Sequence, residues 1–172
     1  MKPKTAQQIE DMKKQTFGVE IEFTGMTREQ AAKIVGKCLR HTEYYIGGGY
    51  KTWGIKDDQG RTWQVMYDSS IRSTGGDDTR CELVTPILKY EDMETLQEIV
   101  RALRKGGAIS HGGRQCGVHI HIGAQGHTPQ SLRNLANIMA SREQLIAKAI
   151  RIEQNRTGYC RVTDQAFLNR LN

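Results

Sequence analysis

Residues 16–23 read TFGVEIEF, and residues 117–121 read GVHIH. In each stretch a group able to bind a cation recurs at every second position: Glu20 and Glu22 in the first, His119 and His121 in the second. On a strand, side chains at i and i+2 leave the same face, about 6.5–7 Å apart at their roots. Two carboxylates so placed repel each other unless cations lie between them. A pair of Mg²⁺ or Mn²⁺ ions about 3.5–4 Å apart would suit them. Imidazole is a poor choice for merely solvating a strand and a good ligand for metal or phosphate near neutral pH. Two further carboxylates are candidates. Glu82 lies inside the apolar stretch CELVTPIL, where a charge buried without a partner is costly and its pKa rises. Asp68 follows WQVMY and opens a serine-rich turn, a place equally suited to an ordinary Asx turn. Each pattern taken alone also fits an amphipathic strand with its polar side in water.

The elements that must position these groups follow from periodicity. Residues 16–23 alternate, with Phe17, Val19, Ile21 and Phe23 opposite Gly18, Glu20 and Glu22, which predicts a strand. A short leader helix is expected over 5–14, with Thr5 and Gln8 as a capping box. Thr27 to Gln30 opens a helix with the apolar stripe Ala31, Ile34, Val35, Cys38 and Leu39. Residues 44–67 form one or two hairpins, broken at Gly47–Gly49 and at DDQG, 57–60. The polar loop 68–80 leads into the short strand of Glu82, bounded by Pro86. An amphipathic helix over 91–105 turns Met93, Leu96, Val100 and Leu103 inward and stops at Gly106-Gly107. The strand 117–122 carries both histidines, and Gly117 allows a close approach beside them. Thr128 caps a long helix with Pro129 at its first position. The order β α β β β α β α, with hairpins in place of regular crossovers, predicts an α+β fold with a largely antiparallel sheet.

Composition bounds the rest. The chain has 172 residues, enough for one domain with a real core. No run approaches the roughly 18 apolar residues of a membrane-spanning helix. The first residues, MKPKTAQQIEDMKKQ, show no apolar segment of a signal peptide, so the expected compartment is the cytoplasm. The cysteines at 38, 81, 116 and 160 form no CxxC pair and read as reduced thiols. The net charge of +6 is uneven: residues 1–98 hold 14 Lys and Arg against 16 Asp and Glu, while residues 99–161 hold 10 against 2. That bias is either a solvated basic face or one that meets anionic partners.

Taken in order, FGVEIEF, WQVMYDSSI, CELVTPIL with its following helix, and GVHIH resemble the amidoligase family of carboxylate–amine ligases, which is related to glutamine synthetase and glutamate–cysteine ligase. The resemblance runs from about residue 16 to 161. It implies a glutamine-synthetase-like core: a curved antiparallel sheet with helices on its outer face and a concave side that binds ATP and Mg²⁺. It implies that Glu20, Glu22, Glu82 and His119 hold metal, with Asp68 beside the ions, and that His121 reaches the nucleotide phosphates. Arg156 and Arg161, in NRTGYCR, become candidates for phosphate or a substrate carboxylate. The implied reaction phosphorylates a carboxylate with ATP and passes the acyl phosphate to an amine, so small-molecule or peptide acids and amines are the expected partners. Relatives that share sites between subunits make a homo-oligomer compatible with it. One departure stands out: the family continues into a strand of the form E-F-R, which this chain does not contain. Residues 1–15 are expected to be a leader, and 16–172 the N-terminal portion of a catalytic domain whose second half is either cut off or supplied elsewhere. Such a fragment need not turn over.

Two other readings use the same residues. A metal-dependent hydrolase would employ the Glu and His face without ATP. A nucleic-acid-binding module would employ the basic half, but residues 99–158 contain no Phe, Trp or Tyr on which bases could stack. A P-loop enzyme is disfavoured, because G-x-x-x-x-G-K-[ST] is absent and GGGYKT does not match it.

Overall fold

A computed structural model of the chain describes residues 3–152, 158 and 161–172. The chain forms two compact units, residues 1–123 and 124–172. The first contains β1 (Phe17–Phe23), β2 (Glu43–Gly47), β3 (Thr52–Lys56), β4 (Thr62–Met66), β5 (Cys81–Val84) and β6 (Val118–Ile122). Its helices are α1 (Pro3–Lys13), α2 (Arg28–Leu39) and α3 (Met93–Lys105). The strands make one sheet in the order β2-β3-β4-β5-β1-β6, with every neighbouring pair antiparallel. This is the expected α+β fold.

The core lies on one side of the sheet. Val19, Phe23, Ile55, Trp63, Val65, Cys81 and Leu83 from the strands pack with Ala31, Ala32, Val35 and Leu39 of α2 and Leu96, Ile99 and Leu103 of α3. Alternation does this: a strand sends every second side chain to the core and its neighbours to the other face. α2 starts where its sequence says it should, since Thr27 and Gln30 form a reciprocal capping box. β2, β3 and β4 are consecutive hairpins. Gly47 and Gly48 take the first turn at φ 83° and 74°, which side chains with a Cβ rarely adopt. The second turn is built on Asp57, whose Oδ1 accepts from the amides of Gln59 and Arg61. Arg61 then reaches Asp92 through Nη1 and Nη2, each at 2.8 Å, a bidentate clamp between the hairpin and the start of α3.

Three local expectations need correction. Thr5 is not a cap, because α1 already begins at Pro3. The helix expected from 91 begins at Met93, after a 3₁₀ turn over Tyr90–Asp92. In that helix Ile99 is buried and Val100 is 37% exposed, so the inward stripe is Leu96, Ile99 and Leu103. Both sets have helical spacing, so the pattern alone does not choose between them; packing against α2 and the sheet turns the Ile99 side inward and leaves Val100 at the edge.

The second unit contains α4 (Pro129–Ala149) and α5 (Gln165–Leu171). Thr128 caps α4 with Pro129 at its first turn, as expected. Asn137 and Asn172 exchange side-chain hydrogen bonds, and Glu143 accepts from both the amide and the hydroxyl of Thr163. Cys38 and Cys81 are free thiols; Cys116 is buried, and Cys160 lies outside the described residues. Among the described residues no helix is long and apolar enough to cross a membrane.

Candidate functional site

β1 is an interior strand, and its two neighbours come from distant parts of the chain. β5 pairs with it in the register Glu20↔Val84 and Glu22↔Glu82. β6 pairs on the other side in the register Gly18↔His121 and Glu20↔His119. The apolar alternates of all three strands share the core face, so Glu20, Glu22, Glu82, His119 and His121 leave the sheet together on the opposite face. Thr85 extends the β5 contact: its Oγ1 accepts from the Val19 amide at 2.9 Å, and its own amide donates to Val19 O at 3.0 Å.

The side chains meet. His119 Nδ1 is hydrogen-bonded to Glu20 Oε2 at 3.0 Å, and His121 Nε2 lies 3.1 Å from Glu20 Oε1. His119 Nε2 is 3.9 Å from Glu22 Oε1. Glu22 is buried and accepts from the Gly117 amide at 2.7 Å, so the close approach that Gly117 allows is made by its own backbone. Asp68 follows β4; its Oδ1 accepts from the Ser70 amide at 2.6 Å, the Asx turn its position suggested, and its carboxylate still joins the acidic group. Two sets of ligand atoms each lie within 4.8 Å of one another: Glu20, Glu82 and His119, and Glu22, Asp68 and Glu82. Glu82 belongs to both.

The electrostatics of this face are unfavourable as it stands. Glu22 and Glu82 are direct cross-strand partners, an arrangement that destabilises a sheet when both are charged. Burial, followed by the negative charges of Glu20, Asp68 and Glu22, pushes the Glu82 carboxyl up to about 7, with His119 offsetting a little. A cation among these oxygens would remove the conflict. The donor set of carboxylates with one imidazole suits Mg²⁺ or Mn²⁺, so the residues present fit the ions that the sequence led us to expect.

Two further residues expected from the sequence lie outside the first unit's described part. Arg161 is in the second unit, where its Nε donates to Gly158 O at 3.2 Å. Arg156 lies outside the described residues. One residue beside the Asp68 turn went unnoticed in the sequence. Arg80 stands two positions before Glu82, and its Nη1 donates to Tyr67 Oη and to Ser69 O, both at 3.2 Å. Arg80 lies just before β5, so its place beside this turn follows from the pairing of β4 with β5 and not from a local spacing.

No curated protein and no solved structure matches the chain. A family model does, and it covers residues 13–172, a span that holds every strand of the sheet and every residue of the acidic and histidine cluster. By that match the chain belongs to the family described as "Putative amidoligase enzyme".

Proposed function

We propose that this chain carries the metal-binding face of an ATP-dependent carboxylate–amine ligase, which forms an amide through an acyl phosphate. The observation that carries the reading is the shared position of Glu82 between two ligand sets on an open sheet face, in a chain of the amidoligase family. Glu20, Glu82 and His119 would hold one divalent ion, and Glu22, Asp68 and Glu82 the other. Bound there, the ions supply charge neutralisation for phosphoryl transfer, whose transition state spreads negative charge over the phosphoryl oxygens.

The residues have separate tasks in this scheme. Glu20 accepts from His119 and lies against His121, so it orients both imidazoles. Glu22 is buried and held by the Gly117 amide. His121, the more exposed imidazole, is free to meet a nucleotide phosphate. Glu82 must lose its proton before it can serve as a ligand, so ion binding and deprotonation at this carboxyl are coupled. Arg161 and Arg156 remain candidates for anionic groups of the substrates. No nucleophilic side chain is needed, since the amine attacks the acyl phosphate directly. A cytoplasmic setting suits reduced thiols and ATP.

The test measures ADP formation from Mg²⁺-ATP against a panel of amino acids and short peptides, offered singly and in pairs. ADP release that requires both a carboxylate and an amine supports the ligase. Phosphate or amide hydrolysis without ATP would replace it with the hydrolase. A steep salt dependence of nucleic-acid binding, with no nucleotide turnover, would favour the basic-module reading.

A further inference from the structure

We propose that Arg80 is a positioning residue which sets the Asp68 carboxylate into the second ion group; this rests on the two-ion reading above. Asp68 lies beyond the end of β4 at Met66, so no sheet register fixes its place. The chain is held on one side by the Tyr67 amide, which donates to Tyr50 O at 2.8 Å. On the other it is held by Ile71, which is buried, and by the Arg72 amide, which donates to Arg114 O at 2.8 Å. Between these anchors, Arg80 Nη1 grips the residue on either side of Asp68, through Tyr67 Oη and Ser69 O. One guanidinium nitrogen thus spans the residue whose carboxylate must meet Glu22 and Glu82.

Arg80 is itself firmly placed. Its backbone is extended, at φ −89° and ψ 103°, as it enters β5 two residues before Glu82. Its carbonyl accepts from Nη1 of Arg28 at 3.0 Å, and Arg28 is buried. The same Arg28 packs its guanidinium over the Tyr67 ring, 5.6 Å from the ring centre. The nearest acid to Arg80, Asp77, is 3.5 Å from its Nε, and that nitrogen is buried without a hydrogen bond. The arginine gives its good hydrogen bonds to the turn and leaves its local ion pair long. A side chain serving only to neutralise Asp77 would show the reverse. The set Glu20, Glu82 and His119 takes no ligand from this turn, so a change in the turn should weaken one ion more than the other.

The test is a Mn²⁺ titration of the full chain, with free Mn²⁺ read by electron paramagnetic resonance. The wild-type chain is expected to take two ions. Arg80→Ala is expected to keep one at wild-type affinity and to weaken the other about 10–100-fold, the usual effect of losing a group that orients a ligand. Asp68→Asn should give the same pattern, and the double variant Arg80→Ala/Asp68→Asn should be no weaker than Asp68→Asn alone, because both changes act on one carboxylate. Tyr67→Phe, which removes one of the two acceptors, should give a smaller loss at the same ion. Arg80→Ala binding both ions as the wild type does, weakening both alike, or adding to Asp68→Asn would overturn the proposal. If Arg80→Ala does not fold, an unchanged second ion in Tyr67→Phe overturns it. A wild-type chain that binds fewer than two ions removes the two-ion reading itself, and this proposal with it.

Discussion

β1 and β6 carry the same pattern, an aliphatic or aromatic residue alternating with a potential ligand, and they pair with each other. Their surroundings differ sharply. In β1, Val19 is 7% and Phe23 2% exposed, and Glu22 on the other face is also buried. In β6, Val118, Ile120 and Ile122 are 55%, 67% and 59% exposed. β1 has a strand on each side and helices against its apolar face, whereas β6 is the sheet edge. Burial is therefore set by the place of a strand in the sheet, and the alternation only determines which residues would be buried if something covered them. For the site, β1 supplies carboxylates held in a restricted, poorly hydrated setting, and β6 supplies imidazoles on an accessible rim.

This contrast can be tested where it should be largest. Phe23→Ala removes a fully buried ring from the interior strand and should cost about 3–5 kcal/mol of unfolding free energy. Ile120→Ala on the edge strand should change it by about 0.5 kcal/mol or less. Urea denaturation of both variants decides the matter, and similar midpoints would mean that β6 is covered in solution.

The next difference concerns the ligands. Glu22→Gln should weaken Mn²⁺ binding by more than the roughly 10–100-fold typical of groups that only orient a ligand, because it removes a buried carboxylate that no neighbour can replace. His121→Asn, on the exposed rim and paired with Glu20, should cost about tenfold or less. Calorimetric titration reads both, and equal losses would erase the distinction between wall and rim.

The smallest effect is a dependence on pH. The Glu82 carboxyl is raised in the fold from 4.5 to about 7, so the folded chain holds this proton more tightly than the unfolded chain does. Its contribution to stability is fully present below the unfolded value, and it is lost as pH rises through about 7, when a charged Glu82 faces Glu20, Asp68 and Glu22. With a chelator present, the urea midpoint of the wild type should fall across this window, and Glu82→Gln should flatten that fall. Saturating Mn²⁺ should do the same by taking the place of the proton. A wild-type profile that stays level without metal would show that the acidic cluster is better hydrated than its packing implies.

Much of the site could be read from the linear chain because its parts obey short-range rules. Period two placed Glu20 with Glu22 and His119 with His121, capping chemistry placed the start of α2 and α4, and paired glycines placed the first hairpin turn. These depend only on neighbours within a few residues, so the sequence by itself determined them. The tertiary structure alone decided that Glu22 stands opposite Glu82, that Glu20 stands opposite His119, and that Asp68 joins them from a turn beyond β4. Register between strands more than fifty residues apart depends on which apolar faces share one core, and no local spacing encodes that. The contacts of Arg80 were hidden for the same reason: its partners Tyr67 and Ser69 flank Asp68 across a loop, and only the pairing of β4 with β5 brings the two ends of that loop together.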